Sequence, residues 1–166
     1  MPVSFDVIAA TNAIATIERT VVSPAPGIIA SYDYGQDPLD FDSDQIPAII
    51  HIERGPDTTE NGRVGAGIFF ANFTIESRVL LIKDVASQPP LEPKLLLAGL
   101  YLPLFDLFQT DNAKNTLTQA SNAFDYVCTW ESPSFSRGDW PIFSDSYKRY
   151  WLLRYTHNFM FQNITC

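Results

Sequence analysis

Three aspartates at alternate positions, Asp40, Asp42 and Asp44, have the spacing of metal ligands. A calcium-binding loop of the EF-hand type places oxygen ligands at this spacing. It also needs a glycine directly after the third ligand and a bidentate glutamate at its last position. Gln45 and His51 stand at those two positions. The sequence therefore predicts a solvated acidic loop and no metal site.

The two histidines, His51 and His157, lie in strand-like runs. Neither has a carboxylate or a cysteine at ligand spacing, so a structural or surface role is predicted for both. No serine stands in a nucleophile elbow, and the sequence has no glycine-rich phosphate-binding loop. We therefore expect no catalytic residue, no cofactor and no enzymatic activity.

Composition predicts a folded, water-soluble chain. Of the 166 residues, 46% are hydrophobic and 18% are charged, which is typical of one globular domain spanning 1–166. No apolar run reaches the roughly 18 residues of a membrane span. The N-terminus lacks the features of a signal peptide, so a cytoplasmic origin is expected. Cys128 and Cys166 are expected to be reduced, and Cys128 to be a small buried hydrophobe.

The net charge of −8 is unevenly distributed along the chain. Residues 1–50 hold seven acidic side chains against Arg19 alone, so seven minus one gives six of the eight excess negative charges. Residues 131–166 hold four basic side chains against three acidic ones. An acidic chain does not attract nucleic acid through its phosphates. The asymmetry favours either solubility or contact between copies of the chain.

Two long segments alternate between apolar and polar residues, which is typical of strands with one face on a core. The first runs from Gly67 to Val85 and the second from Trp151 to Gln162. Their matched apolar faces predict that they share one sheet. The predicted inward residues are Phe69, Ala71, Phe73, Ile75, Val79 and Leu81 in the first segment, and Trp151, Leu153, Tyr155, Phe159 and Phe161 in the second.

Two helices are predicted. The first covers 4–21, with Ser4 as its N-cap and an apolar residue at every third or fourth position. The second covers 94–108, with Pro93 at its first turn and leucines along its length. We expect Pro103 to kink this helix or to end it early.

Shorter strands are predicted at 28–34, 46–52 and 124–130, with a loop at 110–123 and extended loops at about 54–66 and 131–146. This order of elements favours an α+β fold, similar to an α/β sandwich. A mostly antiparallel mixed sheet is expected, flanked by the N-terminal helix and the central leucine-rich helix.

The order and texture of these elements resemble one family. The segments that carry the resemblance are "ASYDY" before the acidic loop, then "QIPAIIHI", "ESRVLLIKDV", "DLFQTD" and finally "YWLLRYTHNFMF". Together they are similar to the tail terminator, or tail completion, proteins of tailed bacteriophages. The similarity covers most of the chain.

The resemblance implies a structural role in the virion neck or tail, after assembly in the host cytoplasm. Members of that family form a homohexameric ring that stops tail tube polymerisation and joins the head connector. The implied partners are other copies of the chain, the tail tube protein, and a connector or stopper protein. Genomic DNA is expected to pass through the lumen without specific binding. No cofactor and no membrane is implied.

Two surfaces are candidates for contacts in such a ring. An acidic lining suits DNA passage. We therefore expect the segment from Asp37 to Asp44, or the loop with Asp57 and Glu60, at the lumen or between subunits. Aromatic side chains are costly to expose, so the loop 131–146 is expected at a subunit interface. The acidic set is Asp37, Asp40, Asp42 and Asp44, and the interface set is Phe135, Arg137, Trp140 and Phe143.

Two alternatives remain open from the sequence. The first is another neck component, such as a connector or stopper, or a tail tube subunit. The second is a small-molecule-binding or enzymatic α+β domain, which would need a pocket with converging polar groups.

Overall fold

The computed structural model describes residues 5–21, 27–38, 41, 45–57, 68–83, 91–130, 136–139 and 149–164. The elements, in chain order, are α1 (Val7–Glu18), β1 (Ala30–Ser31), β2 (Ala48–Asp57), β3 (Ile68–Lys83), α2 (Leu91–Phe108), α3 (Asp111–Ser121), β4 (Asp125–Trp130), β5 (Ser136–Asp139) and β6 (Arg149–Ile164).

The strands form one sheet in the order β1-β2-β3-β6-β4, and β5 pairs with the first part of β6. Only the β1–β2 pair is parallel among the described strands; the other pairs are antiparallel. The predicted α+β fold with a mostly antiparallel mixed sheet is therefore confirmed.

The two long segments with alternating faces are neighbours in the sheet, as predicted. Strands β3 and β6 are each 16 residues long and pair along most of their length. Their inward faces bury Ile75, Val79, Leu153 and Phe159. Each inward face also contains a polar residue, Ser77 in β3 and His157 in β6, and both are fully buried.

All three helices pack on the same face of the sheet, which we call the inward face. The main core joins residues of α1, α2 and α3 to inward residues of β2, β3, β4 and β6. The opposite, outward face carries a small cluster around Phe41 over β2 and β3. The sheet therefore has a thick helical cover on one side and, within the described ranges, a small one on the other.

Helix α1 begins later than predicted. Asp6 is the N-cap, because its carboxylate accepts a hydrogen bond from the Ala9 backbone N–H at 2.9 Å. The predicted N-cap, Ser4, lies outside the described residues. A carboxylate caps a helix start at least as well as a hydroxyl, since it accepts the unpaired N–H and interacts with the helix dipole.

Helix α2 continues through Pro103 and ends at Phe108, which confirms the end of the predicted range 94–108. Of the two effects predicted for Pro103, the early end is wrong and the kink stays a prediction. The helix also starts at Leu91, before the predicted residue 94. A proline inside a helix removes one hydrogen bond and costs about 3 kcal/mol. Leu100 and Leu104 flank Pro103 and are fully buried, so their packing offsets that cost.

The loop predicted at 110–123 is mostly helix α3, which corrects the prediction. Thr110 caps its N-terminus, and Asn122 ends it in the left-handed conformation with φ 59°. Its buried residues are Ala113, Leu117 and Ser121, one per turn. A stripe this narrow leaves the sequence polar overall, which is why the composition indicated a loop.

The other differences concern element ends. Strand β1 has two residues, where a strand over 28–34 was predicted. Strand β2 continues to Asp57, into the loop predicted at 54–66, and β5 lies inside the loop predicted at 131–146. The predicted short strand at 124–130 is confirmed as β4.

Candidate functional site: a buried carboxylate shared by four strands

The side chain of Glu18 lies at the end of α1 and is fully buried. Its Oε2 atom accepts hydrogen bonds from Ser31 Oγ at 2.6 Å and from His51 Nε2 at 2.9 Å. Its Oε1 atom accepts from Ser77 Oγ at 2.9 Å and from Tyr155 Oη at 2.5 Å. The four donors come from β1, β2, β3 and β6, so one carboxylate is bonded to four adjacent strands.

Periodicity explains why these side chains meet. Thr11, Ile14, Ala15 and Glu18 are all buried and recur at three- and four-residue steps, so Glu18 lies on the face of α1 that packs on the sheet. The four donors occupy inward positions of their strands, where alternation aims side chains at the helices. Glu18 is the polar end of an otherwise apolar stripe.

His51 carries a proton on both ring nitrogens. Its Nδ1 atom lies 3.0 Å from the Tyr32 carbonyl oxygen, and its Nε2 atom lies 2.9 Å from the Glu18 carboxylate. Both oxygens can only accept, so both nitrogens must donate. Burial alone would lower the pKa of His51, but the charge and hydrogen bond of Glu18 outweigh it and the pKa is raised. His51 is therefore an imidazolium paired with Glu18.

The same balance acts on the carboxylate. Burial alone would raise the pKa of Glu18, but the charge and hydrogen bond of His51 outweigh it, and the pKa is lowered. Ser31 contributes a further hydrogen bond in the same direction. The ion pair is thus buried with its remaining lone pairs satisfied, the condition under which such a pair is tolerated in a protein interior.

His157 is neutral, although its Nε2 atom lies 3.9 Å from Glu18 Oε1. The single Ser77 proton is donated to Glu18, so Ser77 Oγ accepts from His157 Nε2–H at 2.9 Å. His157 Nδ1 is then the acceptor for the Tyr126 hydroxyl at 2.7 Å. Burial lowers the pKa of His157 to about 3, so this contact with Glu18 is not a salt bridge.

The hydroxyl and thiol groups at this end of the network stay protonated. Burial raises the pKa of Tyr126 and of Tyr155 well above the usual range. Burial also raises the pKa of the Cys128 thiol to about 12, so the group has no thiolate at neutral pH. Cys128 packs against the main core but is half-buried, where a buried position was predicted. The two tyrosines therefore remain hydrogen-bond donors throughout the physiological range.

The Ser77–His157 pair has the spacing of a nucleophile and its base, but its surroundings differ from those of a hydrolase. A catalytic histidine has a carboxylate on its second nitrogen, whereas Tyr126 holds that position here. Ser77 donates its proton to Glu18, and both Ser77 and His157 are fully buried. The arrangement orders the interior and fixes α1 on the sheet.

A groove of about 350 Å³ lies between the three helices. Ile17, Pro103 and Leu107 are among its apolar lining residues. The Thr20 hydroxyl in its wall donates to the Ile17 carbonyl of α1, and the Thr110 hydroxyl donates to the Leu107 carbonyl of α2. The lining also includes the polar residues Asp106, Asn112 and Thr116, so the groove combines apolar walls with polar side chains.

On the outward face, Glu76 lies between two arginines. Its carboxylate accepts from Arg54 Nη2 at 2.8 Å and from Arg78 Nε at 2.5 Å. Burial alone would raise the pKa of Glu76, but Arg78 and then Arg54 outweigh it and the pKa is lowered. Arg154 stands directly opposite Arg78 in the β3–β6 register. Its buried Nε atom has no hydrogen-bond partner in the described residues.

Most of the predicted site residues lie outside the described ranges. Asp40, Asp42, Asp44 and Glu60 do so, as do Phe135, Trp140 and Phe143. Arg137 lies in β5, opposite Trp151 of β6. Among the described residues, no group of three histidine, cysteine, aspartate or glutamate side chains could hold a metal ion.

Asp37 is the one member of the predicted acidic set that the structure describes. Burial raises its pKa to about 6, while His51 opposes this shift and Glu53 adds to it. Glu53 is exposed, and burial of part of its carboxylate raises its pKa, with His51 again opposing. Asp37 is half-buried, whereas Glu53 is exposed in β2, and we call these two carboxylates the acidic edge.

Sequence reasoning missed the central residue of the network. Glu18 was not singled out, and neither were Ser31, Ser77 or the tyrosine hydroxyls. One signal was present: Ser77 and His157 interrupt the two apolar faces, and a polar residue at a core position requires a buried partner. The predicted structural role of His51 and His157 is confirmed by their burial in the network.

No family model and no curated protein matches this sequence. Of the helices in the described part of the chain, none is long and apolar enough to cross a membrane.

Proposed function

We propose that this chain is a structural protein of the neck or tail of a tailed bacteriophage. It caps the tail tube as a homohexameric ring, stops tube polymerisation and joins the tail to the head connector or stopper. It has no catalytic activity and needs no cofactor. The proposal starts from the resemblance in the order of elements, from "ASYDY" to the final strand "YWLLRYTHNFMF".

The observation that carries the proposal is the unequal cover of the sheet. All three helices pack on the inward face, whereas the outward face has a cluster around Phe41 and a row of charged side chains. A sheet face with unmatched charges suits contact with another protein surface. A unit that repeats around an axis needs such a surface on every copy.

The buried network supports a structural role in a second way. Glu18 fixes the end of α1 to four strands, and Tyr126 extends the hydrogen bonds to β4 through His157. Fully satisfied buried networks rigidify a fold and favour one conformation. A ring that sits between head and tail benefits from subunits of fixed shape.

The charge of the chain is consistent with DNA passage. A net charge of −8 repels the phosphates of a genome moving through a lumen, so the DNA does not stick. We propose that the acidic set, Asp37, Asp40, Asp42 and Asp44, lies at the lumen or between subunits, and that the loop with Phe135, Arg137, Trp140 and Phe143 lies at a subunit interface.

Electron microscopy of tube assembly tests the proposal. Tail tube protein is polymerised with and without this chain, and the tube lengths and ends are measured. A terminator shortens the tubes and forms a ring at one end. Open-ended tubes formed by this chain alone would instead identify a tube subunit. Unchanged tube lengths without bound rings would contradict the proposal.

A further inference from the structure

The outward face of the sheet has an excess of positive charge within an acidic chain. Three guanidinium groups, those of Arg54, Arg78 and Arg154, share the face with the carboxylate of Glu76. Arg54 and Arg78 both use that carboxylate, one on each oxygen. Three positive charges minus one negative charge leave a local excess of two. We call these four residues the arginine face.

Arg154 is the residue that lacks a partner. It faces Arg78 directly across the β3–β6 pair, and like charges at such positions repel. Its Nε atom is buried and has no hydrogen-bond partner in the part of the chain that the structure describes. A buried donor without an acceptor costs about 1–3 kcal/mol. Arg154 is partly exposed, so an external carboxylate placed against its guanidinium group would reduce this repulsion.

The same chain carries an excess of the opposite sign at the acidic edge defined above, Asp37 and Glu53. Glu53 is exposed and lies in β2 two residues after His51. Burial raises the pKa of both carboxylates; the charge of His51, which opposes this shift, is already paired with Glu18. Strand β1 pairs with Ala48 and Ile49. The part of β2 that contains Glu53 therefore has a strand partner on one side only, within the described ranges.

We infer that the arginine face of one copy binds the acidic edge of a second copy. The two surfaces are different patches of one chain, so the contact is heterologous and each copy can both give and receive it. Repetition of such a contact closes a ring when the rotation permits. This inference rests on the proposed function, and it names the charges that join neighbouring subunits.

A second copy suits the arginine face better than nucleic acid does. The chain has a net charge of −8, so a phosphate backbone would be repelled by most of its surface. Every copy of the chain carries the acidic edge, so carboxylates that can bind the arginine face are present at the same concentration as the protein. Charge complementarity of this kind speeds association and selects the correct partner.

The first test compares Arg154→Glu with Lys114→Glu by sedimentation equilibrium. Both substitutions change the net charge equally, but Lys114 lies on α3, pairs with Asp125 and is remote from the arginine face. We expect Arg154→Glu to raise the dissociation constant of self-association about tenfold or more. Lys114→Glu should leave it within about twofold, in the range of surface changes outside an interface.

Thermal melting separates loss of contact from loss of folding. Arg154→Glu places a negative charge opposite Arg78, so we expect the melting temperature of the dilute monomer to be unchanged or raised. Weaker association with unchanged folding supports the contact. A lowered melting temperature together with weaker association would overturn it, since the arginine would then serve its own subunit.

Charge exchange identifies the partner surface. Glu53→Lys should weaken self-association as Arg154→Glu does, because it places like charges across the contact. Mixing the two variants should restore assembly, since the reversed face of one then meets the reversed edge of the other. The double variant Arg154→Glu/Glu53→Lys should also assemble alone. Failure of both rescues would overturn the pairing of these surfaces.

Failure of the contact and failure of the proposed function give different results. If Arg154→Glu assembles as the wild type does, the inference is wrong but a ring remains. A wild-type chain that stays monomeric alone and on tail tubes would contradict both. If the wild type binds a random-sequence DNA oligonucleotide and Arg154→Glu does not, the arginine face binds phosphate groups, and the proposed contact between copies is contradicted.

Discussion

The two faces of the sheet differ in how completely their charged side chains are paired. On the inward face, one carboxylate and one imidazolium are buried together, and four donors fill the carboxylate oxygens. On the outward face, Arg54 and Arg78 share one carboxylate, and a buried Arg154 nitrogen has no acceptor in the described residues. Within the described residues, the inward charges are paired with each other, whereas the outward charges leave an excess of two positive charges.

This difference separates folding from association. A buried ion pair with all its hydrogen bonds made fixes the position of α1 on the sheet, and it offers nothing to a partner. On the outward face Arg54 is exposed while Arg78 and Glu76 are mostly buried, and a complementary surface would balance the excess positive charge there. Substitutions on the inward face should therefore change stability, and substitutions on the outward face should change assembly.

Replacing Glu18 with Gln should have the largest effect. The amide keeps the shape but leaves the His51 imidazolium buried without its counter-charge, and it places an NH₂ group where two donors now converge. The expected loss is about 3–5 kcal/mol in the free energy of unfolding, measured by chemical denaturation. The matched outward change, Glu76→Gln, should cost less, about 1–3 kcal/mol, because Arg54 is largely exposed even though Arg78 and Glu76 are mostly buried. Equal losses would erase the distinction between the faces.

The pH dependence of stability should reveal the proton on His51. Its pKa is raised in the folded state, so its contribution is complete below its usual value of 6.5 and is lost as pH rises through the folded pKa. The wild type should therefore lose stability above about pH 6.5. His51→Gln should lack this loss in denaturation series across the same range. Parallel curves for the two proteins would show that His51 is neutral in the fold.

Tyr126→Phe tests the end of the network. It removes the donor to His157 Nδ1 and leaves a fully buried acceptor unpaired, which should cost about 1–3 kcal/mol. Tyr101→Phe is the control, because Tyr101 is half-buried and packs edge-on against Trp130. The control should change stability by less than about 0.5 kcal/mol. A neutral Tyr126→Phe would mean that His157 finds another donor.

The smallest effect is expected at Thr129, on the outward side of β4. Its hydroxyl accepts from Asn158 Nδ2 at 2.9 Å at the protein surface. Water can replace an exposed hydrogen bond, and valine suits a strand well, so Thr129→Val should change stability by less than about 0.5 kcal/mol. A loss above 1 kcal/mol on melting would show that the outward face contributes to folding.

The long strands were predictable because their alternation is local. In β3 and β6, the alternation of apolar and polar residues over a few positions shows which side chains face the core. The two strands have matching apolar faces, and this match predicted their pairing. Helix α3 was missed because it buries one residue per turn, so its composition is that of a loop. The early helix end predicted at Pro103 is wrong, because the packing of the helix against the core outweighs the tendency of proline to end a helix.

The network could not be predicted from spacing. Glu18 meets His51, Ser77 and Tyr155 across 33, 59 and 137 positions of the chain. Such a site exists only after the sheet has formed and α1 has packed on it. The interruptions at Ser77 and His157 indicated that the core holds polar groups, but the identity of their partner depends on the tertiary fold.

The solution mass of the wild-type chain tests the central claim most directly. Sedimentation equilibrium or native mass spectrometry is carried out on the chain alone and on the chain released from tail tubes. The account predicts a closed ring of six copies that dissociates as salt is raised, since exposed charges join the subunits. A single chain under both conditions, up to the highest soluble concentration, would contradict it.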